Sequence, residues 1–69
     1  MENTITVYQG EHEWLARFKG PYQQQIVGLF GSDTIPTNYP LTTDGSTVCQ
    51  SVRQAWPGFV ILHNEQQGE

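Results

Sequence analysis

Basic residues are scarce in this chain of 69 residues. Only Arg17, Lys19 and Arg53 are basic, against seven acidic side chains, and the formal net charge is −4. Proteins that bind nucleic acid obtain most of their non-specific affinity from clustered Lys and Arg on phosphates. We therefore expect no nucleic acid among the partners of this chain.

The chain has a single cysteine and no long apolar segment. The single Cys49 rules out an intrachain disulfide, and no apolar run approaches the roughly 20 residues that a membrane-spanning helix needs. The residues from Met1 to Thr4 are acidic and polar, whereas a signal peptide begins basic and continues apolar. These features predict a cytoplasmic protein with no membrane contact.

The chain is short and carries little charge. Its length predicts one domain over residues 1–69, with eight aromatic side chains supplying much of a small core. Charged residues make up only 14% of the chain, and a surface of low charge density does little to oppose contact with another protein. The composition is therefore compatible with association.

The first third of the chain predicts a β-hairpin. Residues 4–8 and 13–19 alternate between apolar and polar side chains and are rich in β-formers. If Gly10 and Glu11 form a two-residue loop, Val7 pairs with Trp14 and Ile5 with Ala16. One sheet face then carries Ile5, Val7, Trp14, Ala16 and Phe18, and the other carries Thr4, Thr6, Tyr8, Glu13, Leu15, Arg17 and Lys19.

Two later segments have the same apolar spacing, i, i+4, i+7, i+8, which is typical of one helix face. The first helix is predicted over residues 21–30 and ends at Gly31; the second begins at the Asp44-Gly45-Ser46 turn and ends at about Trp56, before Pro57. The predicted packing faces are Tyr22, Ile26, Leu29 and Phe30 in the first helix, and Val48, Val52, Ala55 and Trp56 in the second.

The remaining segments are extended. Pro36 and Pro40 favour an extended backbone over residues 32–44, which predicts either a short edge strand near residues 34–37 or a functional loop. The continuous apolar run 59–62 predicts a last strand that is central in the sheet or covered on both faces. Residues 64–69 form a polar tail that we expect to be frayed.

Together the elements predict an α+β domain: a small antiparallel or mixed sheet, in the order ββα-extended-αβ, with two helices packed on one face. Loop geometry leaves the strand order open. One arrangement places the last strand beside the first, so that the first strand is central.

No motif predicts catalysis, a metal site or a cofactor. Glu11-His12-Glu13 is the densest ionisable cluster, but neighbouring side chains in a strand point to opposite faces, so we interpret it as a solvated hairpin end. A nucleophilic pair of Cys49 and His63 is the remaining enzymatic hypothesis, and it is the weakest, because Cys49 lies at the edge of an apolar stripe. We therefore expect a protein that is not an enzyme.

Two binding hypotheses remain. The first is a non-catalytic interaction module that self-associates, or binds an unidentified protein partner, through the outer sheet face or a strand edge. Its predicted surface contains Thr6, Tyr8, Leu15 and Arg17, joined by either Val60 and Leu62 or Phe59 and Ile61. The alternative is a binder of a small ligand or a peptide that uses the loop 34–43, with contacts from Ile35, Thr37 and Tyr39.

Overall fold

A computed structural model describes residues 2–64 of the chain. Its elements are β1 (Thr4–Gln9), β2 (Glu13–Lys19), α1 (Gln23–Phe30), β3 (Thr34–Pro40), α2 (Gly45–Ala55) and β4 (Val60–Asn64). The predicted tail over residues 64–69 lies outside the described residues, apart from the backbone of Asn64, which ends β4.

The strands form one mixed sheet in the order β3-β2-β1-β4. β1 and β2 are antiparallel, β2 and β3 are antiparallel, and β1 and β4 are parallel. The α+β prediction is therefore confirmed, and the arrangement with the last strand beside the first is the one observed. A parallel neighbour needs a crossover, and the segment that contains α2 supplies it between β3 and β4.

The hairpin has the predicted faces but a different register. Val7 pairs with Ala16 and Ile5 with Phe18, so the predicted pairing of Val7 with Trp14 is wrong by two residues. The N–H of Gly10 donates to the carbonyl oxygen of Glu13 at 2.8 Å, which places the loop at the two residues after Gly10 rather than at Gly10 itself. A shift of two keeps every side chain on its face, because the side-chain period of a strand is two.

Of the two predictions for the proline segment, the edge strand is observed. β3 pairs with β2, and its prolines are tolerated because an edge strand needs backbone donors on one side only. The register shifts near Trp14, where β3 contains extra residues and Asn38 takes a φ of 68°. The hydroxyl of Thr37 donates to the carbonyl oxygen of Trp14 at 2.8 Å, which replaces a ladder bond at the irregularity.

Helix α1 ends as predicted, but its packing face is only partly correct. Gly31 adopts the left-handed conformation and donates its N–H to the carbonyl of Val27. Ile26 is fully buried, whereas Leu29 and Phe30 are 69% and 56% exposed, so their assignment to the core is wrong. The spacing describes a helix face, but only the part around Ile26 and Tyr22 has core residues opposite it.

Helix α2 follows its prediction more closely. Asp44 precedes its first residue, and the Ser46 hydroxyl donates to the Asp44 carboxylate at 2.7 Å. Val48 and Val52 are buried as predicted, and Cys49 at the edge of the stripe is buried with them, but Ala55 is exposed. The packing face is therefore rotated toward Cys49.

The prediction that the last strand is central or covered on both faces is wrong. β4 is an edge strand beside β1. Ile61 aligns with buried Ile5 and packs against the core, while Val60 and Leu62 lie on the opposite face, 38% and 50% exposed. A continuous apolar run therefore marks a strand whose outer side chains have no covering layer in the part of the chain described.

Four aromatic rings pack together at one end of the sheet. Phe18 comes from β2, Tyr22 precedes α1, Trp56 follows α2 and Phe59 precedes β4. Their centroids lie 4.9–6.5 Å apart, and most of the pairs meet edge to face, the geometry that aromatic quadrupoles favour. We call these four side chains the aromatic cluster.

Two glycines should respond oppositely to substitution by alanine. Gly20 has a φ of 106°, and an added Cβ would run into the backbone of Glu2 and Asn3, so we expect Gly20→Ala to lower the free energy of unfolding by about 2 kcal/mol or more. Gly28 lies inside α1 with open space beside it, so Gly28→Ala should raise the free energy of unfolding by about 0.5–1 kcal/mol. Urea denaturation of both variants measures the difference, and equal effects would contradict the backbone geometry.

Candidate interaction surface

The outer sheet face is the side of the sheet opposite the buried core. Both helices contribute their buried side chains to the core side, with Ile5, Val7 and Phe18. On the opposite side of the sheet, no described helix or loop residue forms a core. The strand registers place on this outer sheet face Thr34 and Pro36 of β3, Glu13, Leu15, Arg17 and Lys19 of β2, Thr4, Thr6 and Tyr8 of β1, and Val60 and Leu62 of β4.

The four predicted surface residues lie together at the centre of this face. Tyr8 pairs with Leu15, and Thr6 pairs with Arg17. The guanidinium carbon of Arg17 lies 5.6 Å from the centroid of the Tyr8 ring, within the range of a cation–π contact. Leu15 lies against Gly10, where an added Cβ would stand 2.7 Å from the leucine Cδ1. The centre of the face therefore combines aromatic, aliphatic and cationic side chains that lie in contact.

The apolar border of this face is formed by β4. The sequence allowed either Val60 and Leu62 or Phe59 and Ile61 on this face. The register with β1 selects Val60 and Leu62, which align with Thr4 and Thr6. Two of the three basic residues of the chain, Arg17 and Lys19, lie on the same face. The outer sheet face thus combines exposed aliphatic side chains with positive charge in an acidic protein.

The alternative site is a pocket between β3 and α2. Ile35, Thr37 and Tyr39 all line it, so the three predicted residues are brought together. Its volume is about 220 Å³, and Trp56 and Val52 from the helix side complete its apolar walls. The Tyr39 and Ser51 hydroxyls form a hydrogen bond of 2.6 Å, and Ser51 also lines the pocket.

Cys49 and His63 are not joined by a hydrogen bond. The His63 ring lies 5.5 Å from the Trp14 ring, at a tilt of 48°. Burial raises the pKa of the Cys49 thiol, and nearby Arg53 lowers it by a smaller amount. A nucleophilic thiol needs the opposite shift, because the thiolate is the reactive form.

The hairpin end is solvated, as predicted. Glu11 and His12 are almost completely exposed, and their side chains approach only to 3.9 Å. Among residues 2–64, no group of three His, Cys, Asp or Glu side chains is placed to hold a metal ion.

Sequence reasoning missed the exposed apolar side chains of α1. Val27, Leu29 and Phe30 are each more than two-fifths exposed. Val27 and Phe30 lie about one turn apart on the same side of the helix, whereas Leu29 lies on a different side. The one signal in the sequence is that α1 contains no charged residue, so its exposed side is not marked by the usual polar pattern.

Comparisons with protein-family models, with curated proteins and with solved structures found no match to this chain. Within the described part of the chain, neither helix has the length and apolar character needed to cross a bilayer. The candidate surface therefore rests on the geometry of the fold alone.

The buried thiol should react slowly. We expect iodoacetamide at mildly alkaline pH to modify Cys49 in the native protein at least about tenfold more slowly than in denaturant, because reaction requires both opening and ionisation. Folding raises the pKa of the Cys49 thiol, so this thiol ionises at a lower pH in the unfolded chain than in the folded protein. The free energy of unfolding should therefore fall as pH rises through the ordinary thiol range. Mass spectrometry of timed samples measures the rate, and equal rates in both states would restore Cys49 as a candidate nucleophile.

Proposed function

We propose that this chain is a non-catalytic protein-interaction module that self-associates through its sheet, by the outer sheet face or by a strand edge that borders it. The observation that carries the proposal is the outer sheet face, which no residue in the described part of the chain covers, with Val60 and Leu62 exposed at its β4 border. Contiguous exposed aliphatic residues beside polar ones are typical of surfaces that bind proteins.

The energetics of a small domain support the same proposal. A chain of this length buries only about 60% of the surface that its unfolded form exposes, so its stability margin is small. Burying Leu62 and Val60 against a second protein would add roughly 25 cal/mol for each Å² of apolar surface removed from water. Self-association would therefore supply apolar burial that one copy lacks.

The chemistry of the side chains also favours binding over catalysis. The raised pKa of Cys49 disfavours a thiolate, and His63 packs beside Trp14. Among the residues that the structure places on the outer sheet face there is no histidine or cysteine, and the carboxylate of Glu13 stands at the hairpin end. These groups are suited to contact with a protein surface, where Tyr and Arg are enriched.

Sedimentation equilibrium at micromolar concentration tests the proposal. The wild-type chain should sediment as a dimer, and Leu62→Arg should shift the equilibrium to monomer by placing a charge where an apolar side chain is buried. The matched control is Gln24→Arg, which adds the same charge at an exposed position of α1 and should leave the dimer intact. A wild-type chain that remains a monomer, or a dimer indifferent to Leu62→Arg, would contradict the proposal.

A second candidate function is supported by the pocket between β3 and α2. Its walls are apolar and aromatic, it contains a hydroxyl pair, and Pro36 restricts the backbone of β3 before any ligand binds. One hydroxyl of the Tyr39–Ser51 pair donates to the other, which leaves one O–H free for a ligand. A small neutral molecule, or one apolar side chain of a peptide, would match this pocket.

Phenol is a suitable probe, because its ring and single hydroxyl match the walls and the hydroxyl pair. In NMR titrations we expect phenol to shift the amide signals of Ser51 and Val52, and Ala55→Trp to abolish the shifts by filling the pocket mouth. Gln54→Trp places the same ring at an exposed neighbouring position that does not line the pocket, and should leave the shifts unchanged. Absence of any shift at millimolar phenol would remove this candidate.

A further inference from the structure

The two edges of the sheet differ in whether their backbone groups can accept another strand. The N–H of Phe18 donates to the carbonyl of Asp33, so alternation along β3 directs the backbone groups of Thr34 and Pro36 to the open side. Pro36 has no N–H, and the N–H of Thr34 already donates to the Ser32 hydroxyl at 3.2 Å. The β3 edge therefore offers no free donor at these two positions, as in edges that resist pairing.

The β4 edge has none of these protections. The N–H of Val60 donates to the carbonyl of Asn3 at 3.0 Å, so Val60 and Leu62 direct their backbone groups to β1. Alternation then directs those of Ile61 and His63 to the open side, where no strand pairs among residues 2–64. β4 contains no proline and no Lys, Arg, Asp or Glu. Among the described residues it is therefore a regular edge without Lys, Arg, Asp or Glu, and its outward donors and acceptors have no partner.

We propose that β4 pairs with β4 of a second copy of this chain, antiparallel, with Leu62 of each copy facing the other across a two-fold axis. This inference rests on the proposed self-association and specifies the surface that performs it. Ile61 of one copy then forms a hydrogen-bonded pair with His63 of the second copy, and the reverse pair follows by symmetry. The product is one continuous sheet across the two chains.

β4 meets the requirements for pairing with a second copy of itself. Rotation about Leu62 pairs the outward backbone groups of Ile61 and His63 with their equivalents, as in any strand that pairs antiparallel with its own copy, so the side chains decide whether this pairing is favoured. The chain carries a net charge of −4, yet β4 carries no acidic or basic residue apart from His63, so two copies meet there without like charges directly opposite each other. Leu62, half exposed in one copy, packs against its own equivalent.

This arrangement leaves the centre of the outer sheet face open. Tyr8, Leu15 and Arg17 lie on β1 and β2, away from the β4 edge. The two outer sheet faces become one surface that crosses the two-fold axis. Leu15→Arg therefore distinguishes edge pairing from contact between two faces.

Amide hydrogen exchange followed by NMR at several protein concentrations tests the pairing directly. The Leu62 amide faces β1 and should be protected at every concentration. The Ile61 and His63 amides should exchange rapidly in dilute protein and about tenfold or more slowly at concentrations well above the dimer dissociation constant.

Two variants of His63 separate the contribution of its backbone N–H to the dimer from that of its side chain. His63→Pro removes an outward N–H from each copy without removing a bond to β1, and should weaken the dimer by about tenfold or more in sedimentation equilibrium. His63→Val also loses the imidazole beside Trp14 but keeps the N–H, and should dimerise as the wild type does. Circular dichroism confirms that each variant is folded, and the exchange data on the wild-type chain decide the question if His63→Pro is not.

The outcomes are distinct. A dimer with concentration-dependent protection at Ile61 and His63, and with no response to Leu15→Arg, supports edge pairing. A dimer with rapid exchange at both amides and sensitivity to Leu15→Arg overturns edge pairing and leaves self-association through the outer sheet face. A chain that stays monomeric at all concentrations overturns both the pairing and the proposed function.

Discussion

The packing of four aromatic rings is the interaction on which the rest of the fold depends. Phe18, Tyr22, Trp56 and Phe59 come from the ends of four different elements, with ring centroids no more than 6.5 Å apart. The N–H of Tyr22 also donates to the Asn3 side chain at 2.7 Å, which ties the cluster to the start of β1. Large rings remove much apolar surface from water with few residues, which is the requirement of a short chain without a disulfide.

Placing the core on one side of the sheet has a direct consequence for function. Two short helices and four aromatic rings cover the side that carries Ile5, Val7 and Phe18, and no element is left to cover the other side in the described part of the chain. β4 is exposed twice over, through Val60 and Leu62 on its outer face and through its free edge. The one-sided core thus leaves β4 and the outer sheet face accessible to a partner.

Much of the candidate surface could be predicted from the sequence, because strand alternation assigns faces without requiring the correct partner. Thr6, Tyr8, Leu15 and Arg17 share a face in either hairpin register, since the two registers differ by two residues. The choice of Val60 and Leu62 over Phe59 and Ile61 needed the alignment of β4 with β1, which depends on contacts between distant segments. The exposed Leu29 and Phe30 were not predictable, because helical spacing defines a face without specifying what lies opposite it.

The sequence by itself determined the hairpin with its inward faces, the two helices, the last strand, and the end of α1 at Gly31. These depend on local geometry: side-chain alternation, helical periodicity and the left-handed conformation that glycine adopts without strain. Only the tertiary structure decided which strands are edges, which edge has free backbone groups, and which helical side chains lack a packing partner. Those properties arise between segments far apart in the chain, and no local pattern encodes what stands on the other side of a strand or helix.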